Sequence, residues 1–155
     1  MRVLGIDPGT AIVGFGIVDY IDNEYHPVNY GVIEPKSKKT GDRLLQIFND
    51  VKELIRKYDP NEVAVEELFF NKNIKTALSV SEARGVILLA AITEGKIVKG
   101  YTPLQVKQGI TSYGHATKES VQMMVTSLLN LEEIPKPDDA ADGLAIAITH
   151  INCLL

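Results

Sequence analysis

Apolar and polar residues alternate over three short segments at the start of the chain. Residues 2–7, 11–20 and 25–33 are rich in Val and Ile, and polar turn residues separate them. Such alternation is typical of β-strands, and three sequential strands with short connections predict an antiparallel meander. Asp-Pro-Gly-Thr at residues 7–10 predicts a type II turn, and Pro27 places the third strand at a sheet edge or at its own start.

The spacing of the apolar residues changes in the next part of the chain. From Leu44 to Tyr58 they recur three or four positions apart, which predicts a helix that Asp59 and Pro60 end. Residues 62–68 predict a fourth strand, and the consecutive apolar residues 63–65 fit a strand buried on both faces in parallel pairing. The remaining pattern predicts a helix at 74–93, a fifth strand at 96–101, and helices at 103–108, 118–129 and 139–151.

The order of these elements predicts the fold class. We expect an α/β domain with a mixed five-stranded sheet, three antiparallel strands followed by two parallel ones, and helices on both faces. This order is the one found in ribonuclease H-like folds, although the same elements could also pack as another α/β layer. Because 155 residues are one domain's worth of chain, we expect a single ribonuclease H-like domain over residues 1–155.

Composition excludes several classes of protein. With 45% hydrophobic and 23% charged residues, the chain is globular rather than disordered. Its longest apolar run, residues 86–92, falls far short of the ~18 residues of a membrane span, and Asp7 comes too early for a signal peptide. The single cysteine, Cys153, cannot form an internal disulfide. We therefore expect a cytoplasmic protein with no membrane partner.

The charge is distributed unevenly along the chain. A net charge of -4 argues at first against nucleic-acid binding. However, residues 69–122 contain seven basic and three acidic residues, whereas the rest contains nine basic and 17 acidic residues. A basic middle between acidic ends permits a polyanion-binding surface beside a cluster of carboxylates, although solvated helix faces produce the same imbalance.

Four acidic residues occur where the predicted structure does not require them. Asp7 ends the first strand, Glu66 interrupts an apolar strand, and Asp139 and Asp142 lie on one face of the last helix. Because the first and fourth strands are neighbours in the predicted sheet, Asp7 and Glu66 can converge. A buried carboxylate is costly unless it is paired or binds a metal, and oxygen ligands favour Mg²⁺ or Mn²⁺. Two such ions can activate water and stabilise the leaving oxygen in phosphodiester hydrolysis.

Each of these acids also has an ordinary structural explanation. Asp7 suits the first position of a Pro-Gly turn, and acids at the start of the last helix complement its dipole. Glu67 points to the opposite face of the strand from Glu66, so either could be an exposed acid. Asp138 lies four residues before Asp142, and spacing alone does not choose between Asp138 and Asp139.

Five motifs occur in order over nearly the whole chain. They read LGIDPGT at 4–10, VEELFFNKN at 65–73, ARG at 83–85, PLQVKQ at 103–108 and DAADGLAIA at 139–147. Together they resemble the RuvC family of bacterial Holliday-junction resolvases, and the combination is far more specific than any single motif. Gly143 is one departure, because an alanine there would favour the helix and a glycine in a helix interior costs about 1 kcal/mol of stability.

The resemblance implies a Mg²⁺-dependent endodeoxyribonuclease that resolves four-way (Holliday) junctions by paired symmetric nicks in recombination and DNA repair. The expected products have 5'-phosphate and 3'-hydroxyl ends, and two Mg²⁺ ions per subunit, replaceable by Mn²⁺, are expected. The resemblance also implies a partner, the RuvA–RuvB branch-migration complex. It assigns the catalytic and metal-binding residues to the carboxylates Asp7, Glu66, Asp139 and Asp142. It assigns DNA contacts to Phe69, Asn73, Lys107 and Lys118.

A four-way junction is symmetric, and cutting two of its strands requires two active sites. We therefore expect a homodimer with a twofold axis. The helix at 74–93 is apolar nearly all round and offers a surface for it. A buried central helix in a monomer explains the same pattern, and the resemblance favours the dimer.

Three other functions compete with junction resolution. A ribonuclease H-like nuclease could use the same carboxylates on another nucleic acid. Residues 5–10 also resemble the phosphate loop of sugar kinases and Hsp70 chaperones, but the chain is too short for the two domains that enclose ATP in those proteins. A junction-binding scaffold would lack cleavage altogether.

His150 lies two helical turns from Asp142, ~12 Å away and too far to share a metal, so we expect a structural role for it.

Overall fold

The computed structural model describes residues 1–9, 11–67 and 73–155. Its strands are β1 (Arg2–Asp7), β2 (Val13–Ile21), β3 (Glu24–Ile33), β4 (Glu62–Glu66) and β5 (Ile97–Tyr101). Its helices are α1 (Thr40–Tyr58), α2 (Ile74–Thr93), α3 (Pro103–Thr111), α4 (Lys118–Leu128) and α5 (Asp138–Leu154).

The strands form one five-stranded sheet in the order β3-β2-β1-β4-β5. β1 pairs antiparallel with β2, and β2 pairs antiparallel with β3. β4 lies parallel to both β1 and β5. The predicted mixed sheet is confirmed, and β3 is an edge strand that accommodates Pro27 beside a register shift at Ile17 and Val18.

Side-chain alternation divides the core into two layers. In β1, Val3 packs with the layer that includes α3, α4 and α5, whereas Leu4 and Ile6 pack with the layer that includes α1 and α2. In β4, Ala64 belongs to the α5 layer, and its neighbours Val63 and Val65 belong to the other. Both faces of the sheet are therefore covered by helices, as the element order predicts.

Glycines allow α5 to approach β1 and β2 very closely. A Cβ on Gly14 would lie 1.9 Å from the backbone oxygen of Asp139, and one on Gly16 would lie 2.4 Å from the backbone nitrogen of Leu144. On the helix side, a Cβ on Gly143 would lie 2.4 Å from the backbone of Phe15. Any side chain at these positions would push the helix away from the sheet.

Several element boundaries differ from those predicted by the sequence pattern. α1 begins at Thr40 rather than near residue 44, because polar residues continue the helix beyond its apolar stripe. α3 extends to Thr111, and α5 runs from Asp138 to Leu154. β4 ends at Glu66 instead of residue 68. Glu67 has left the strand but still donates its backbone N–H to the carbonyl of Tyr101.

The predicted type II turn after β1 is wrong. That turn requires a positive φ at Gly9, and Gly9 has none. A Cβ on Gly9 would lie 2.0 Å from the backbone oxygen of Ile12. The glycine is therefore required by close backbone approach rather than by a left-handed conformation.

α2 has an unusual distribution of apolar residues. By length and composition alone its 20 residues could cross a membrane. Its buried residues, among them Ala83, Ile87 and Ala91, pack in the same layer as α1 and the sheet, as in a core helix of a globular domain. Its opposite side exposes a stripe of large apolar residues: Ile74, Leu78, Leu89 and Ile92.

Candidate active site

Asp7 and Glu66 meet at one edge of the sheet. They are the last residues of the parallel neighbours β1 and β4, one position beyond the paired Ile6 and Val65. Alternation places Asp7 on the face of Val3 and Glu66 on the face of Ala64, and that face packs against α5. The two carboxyl groups are within hydrogen-bonding reach of each other.

The first turns of α5 bring two further carboxylates to the same place. Asp7, Asp139 and Asp142 each offer an oxygen, and these oxygens all lie within 4.8 Å of one another. All three side chains are partly buried. We call Asp7, Glu66, Asp139 and Asp142 the carboxylate cluster. Asp138 is exposed and lies beside Lys118 instead.

Burial disfavours the ionisation of three carboxyl groups in the cluster. Burial, followed by the charges of Glu66 and Asp142, raises the pKa of Asp7 from 3.8 to about 9. Burial also raises the pKa of Glu66 and that of Asp142. At Asp7, desolvation and repulsion from the neighbouring carboxylates act in the same direction. A centre with this electrostatics favours the binding of cations.

The residues present fit a divalent metal of the hard class. Every donor in the cluster is a carboxylate oxygen, which is the ligand type that Mg²⁺ and Mn²⁺ prefer. A bound dication would relieve the unfavourable ionisation of Asp7, which burial and the neighbouring carboxylates cause. Asp7, Glu66, Asp139 and Asp142 are therefore the residues that would hold the metal.

Two lysines approach the cluster from α3 and α4. Lys118 Nζ lies 3.3 Å from Asp142 Oδ2 and 3.7 Å from Asp138 Oδ2. Burial alone would lower the pKa of Lys118, but the Asp142 carboxylate raises it overall. Lys107 and Lys118 line a cavity of about 230 Å³ together with Glu66 and Asp142. Positive and negative side chains therefore line the same cavity.

Arg84 on α2 holds the end of β4 and was not singled out by the sequence as a functional residue. Its Nε donates a hydrogen bond of 3.2 Å to the backbone carbonyl of Glu66. The motif Ala83-Arg84-Gly85 is a signal for it in the sequence, although the contact spans 18 residues and could not be read from spacing. Gly14 was also missed, and it sets the height of Asp139 above the sheet.

Comparison with known proteins decides the family. The family model described as crossover junction endodeoxyribonuclease RuvC matches residues 3–150. The chain belongs to the RuvC family. A crossover junction endodeoxyribonuclease RuvC from Fusobacterium nucleatum is 56% identical over 155 residues, covering 99% of this chain and 82% of the relative. The family is one of nucleases, as the name of that relative states.

Solved structures of RuvC proteins agree with this placement. The Thermus thermophilus RuvC structure matches with a TM-score of 0.92 and 37% identity, covering 99% of this chain and 95% of that one. T. thermophilus RuvC in complex with Holliday junction substrate matches with a TM-score of 0.90 and 35% identity over the same shares of the two chains. The predicted ribonuclease H-like fold is thereby confirmed.

Three of the four residues to which the RuvC resemblance assigns DNA contacts lie in the described part of the chain. Lys107 and Lys118 are beside the carboxylate cluster, as described above. Asn73 is exposed at the N-cap of α2, where its Oδ1 accepts hydrogen bonds from the backbone of Lys75 and Thr76. Sequence reasoning missed this capping role. Phe69 lies outside the described residues, so its expected contact stays a prediction.

His150 is structural, as its distance from Asp142 predicts. The fully buried imidazole lies 2.7 Å from the Tyr101 hydroxyl through Nδ1 and 2.9 Å from Glu62 Oε2 through Nε2. These contacts connect α5 to the end of β5 and the start of β4. They fix the helix against the sheet two turns away from the carboxylate cluster.

Proposed function

We propose that this protein resolves four-way DNA junctions as a Mg²⁺-dependent endonuclease in recombination and DNA repair. The observation that carries the proposal is that carboxylate oxygens of Asp7, Asp139 and Asp142 lie within 4.8 Å of one another, with Glu66 acting on Asp7 beside them, in a member of the RuvC family. The complex of T. thermophilus RuvC with Holliday junction substrate supports the choice of DNA substrate.

The four carboxylates are proposed as the catalytic residues and as the ligands of two Mg²⁺ ions, which Mn²⁺ can replace. When bound, the metal supplies Lewis acidity that favours deprotonation of the attacking water and offsets charge on the leaving oxygen. Asp7 occupies the centre of the cluster, since the charges of Glu66, Asp142 and Asp139 all act on its carboxyl group. Asp7 would therefore be the ligand shared between the ions if two were bound.

The lysines that line the cavity are proposed to act on the DNA. In this proposal Lys107 and Lys118 pair with phosphate oxygens and offset the charge that builds up as the phosphodiester breaks, which their position beside Glu66 and Asp142 supports. Asn73 and Phe69 are proposed to contact the strands beside the cleaved bond. Attack of water on phosphorus with release of the 3'-oxygen leaves the proposed 5'-phosphate and 3'-hydroxyl ends.

Two copies of the chain are proposed to act together. The exposed apolar stripe of α2, which includes Leu78 and Leu89, is a surface that a twofold partner would cover. A twofold dimer would carry two active sites, one for each of the two symmetric strands to be cut. Cooperation with the RuvA–RuvB branch-migration complex in the cytoplasm completes the proposal.

The test is cleavage of a labelled immobile four-way junction by the purified protein with and without Mg²⁺. We expect paired symmetric nicks that require Mg²⁺, and little cleavage of linear duplex. Asp7→Asn should reduce cleavage by more than about 100-fold, because loss of even indirect partners of a metal ligand costs about 10- to 100-fold. Junction binding by this variant should persist.

Asp22→Asn is the matched control for this substitution. Asp22 is exposed in the turn between β2 and β3, with a φ of 52°, a conformation that asparagine tolerates. Asp22→Asn should cleave the junction like the wild type.

Preferential cleavage of an RNA–DNA hybrid would support another ribonuclease H-like activity instead, and junction binding without cleavage in the wild type would support a scaffold.

A further inference from the structure

Lys118 occupies a position that conflicts with the proposed metal centre. Its ammonium lies 3.3 Å from Asp142 Oδ2, within direct ion-pair distance of a carboxylate in the cluster. A second carboxylate oxygen, from Asp138, lies 3.7 Å away. Lys118 is the first residue of α4, and both acids lie in the first two turns of α5.

A carboxylate paired with an ammonium is a weaker ligand for a divalent ion. A dication that binds the Asp142 carboxylate must compete with the Lys118 ammonium for the same oxygens. The Lys118 side chain is 52% exposed, and lysine has a flexible four-carbon stem with a mobile point charge. Lys118 can therefore leave Asp142 without unfolding α4.

We propose that Lys118 is an exchangeable counter-ion of the carboxylate cluster. It neutralises Asp142 while the cluster holds no divalent metal, and metal binding releases its ammonium into the cavity, where DNA phosphate takes the place of Asp142. This inference rests on the proposed function, since it requires that the cluster bind divalent metal. It adds that Lys118 competes with the metal, which a phosphate-binding lysine alone would not do.

Lys107 provides a matched comparison within the same cavity. It lines the cavity beside Glu66 and Asp142, yet among the described residues it forms no ion pair within 4.0 Å. Removal of either lysine takes one positive charge from the surroundings of the cluster. Only removal of Lys118 takes away a direct competitor for one of its carboxylates.

The experiment measures Mn²⁺ binding to the full chain by calorimetry in the absence of DNA. Lys118→Met should raise the Mn²⁺ affinity about three- to fivefold, which corresponds to the loss of a partly exposed ion pair. Lys107→Met should change it by less than about twofold, and Lys118→Arg should behave like the wild type. Junction cleavage by Lys118→Met should nevertheless fall, so metal affinity and activity change in opposite directions.

Denaturant unfolding supplies a second readout that does not depend on activity. Without metal, Lys118→Met should be less stable than the wild type, because Asp142 loses its counter-ion. The difference should shrink as Mn²⁺ is added, because the variant gains more from metal binding. A merely structural role for Lys118 would leave the difference unchanged by Mn²⁺.

The outcomes separate this inference from the proposed function. If wild type and variants all fail to bind Mn²⁺, the metal centre of the proposed function is wrong. If the wild type binds Mn²⁺ but Lys118→Met binds it equally or more weakly, the counter-ion role is wrong while the metal centre stands. An equal gain from Lys107→Met would also overturn it, since the effect would then come from net charge alone.

Discussion

Replacement of Asp7 by asparagine is expected to stabilise the metal-free protein, and the gain is expected to grow with pH. In the native state the pKa of Asp7 is raised from 3.8 to about 9 by burial and by the charges of Glu66 and Asp142. Asparagine has a similar shape but no charge to desolvate. The residue most central to the proposed chemistry therefore destabilises the fold in the absence of metal.

The sign and size of the effect follow from proton linkage. Below pH 3.8 the carboxyl group is protonated in both the folded and the unfolded chain, so its raised pKa costs nothing. Between that pH and about 9, the unfolded chain has lost the proton and the folded chain has kept it. The wild type then loses stability relative to the variant by at most about 1.4 kcal/mol per pH unit. From pH 5 to pH 7 the advantage of Asp7→Asn should grow by up to about 2.7 kcal/mol.

The measurement is urea unfolding in the presence of a chelator at several pH values from 5 to 8. Wild type, Asp7→Asn and the control Asp22→Asn are compared at each pH. We expect the Asp7→Asn advantage to rise steadily with pH, and the control to follow the wild type. Saturating Mg²⁺ should stabilise the wild type more than Asp7→Asn. An advantage that stays constant or shrinks with increasing pH would refute the reasoning.

Three further substitutions test how the site is held together. Gly14→Ala should destabilise the protein by about 1–3 kcal/mol and reduce cleavage, because the new Cβ displaces Asp139. The control Gly41→Ala adds a Cβ in open space and should change neither stability nor cleavage. Unfolding and nicking assays on both variants check this. Arg84→Lys should weaken Mn²⁺ binding about tenfold, because the hydrogen bond that holds the Glu66 end of β4 is lost. A Mn²⁺ affinity by calorimetry equal to that of the wild type would contradict this. His150→Ala should cost about 3 kcal/mol of unfolding free energy while the folded fraction cleaves normally, so a loss of specific activity would disprove a purely structural role.

The positions of Asp7 and Glu66 were predictable because strand alternation is regular. Residues 3, 5 and 7 of β1 share one face, as do residues 62, 64 and 66 of β4, and parallel neighbours end at the same sheet edge. The helical spacing of Asp139 and Asp142 was equally plain. Element order then supplied the mixed sheet, so local patterns predicted that Asp7 and Glu66 could converge. The choice of Glu66 over Glu67 and of Asp139 over Asp138 came from the RuvC resemblance.

Contacts between distant segments could not be predicted in the same way. Gly143 was interpreted as a weak helix former, whereas its lack of a Cβ lets α5 touch the backbone of β2. Nothing in the spacing of Gly14 and Asp139 indicates that their backbones meet. The contact of Arg84 with the Glu66 carbonyl and the position of Lys118 between two acids also depend on tertiary packing.

The binding of divalent metal by the carboxylate cluster is tested most directly by anomalous diffraction from crystals grown with Mn²⁺. We predict anomalous density within coordination distance of the carboxylates of Asp7, Glu66, Asp139 and Asp142, at ~2.0–2.3 Å from their oxygens, and none there in crystals of Asp7→Asn. Crystals that show anomalous Mn²⁺ density only at other sites, and none beside these four carboxylates, would contradict the central claim.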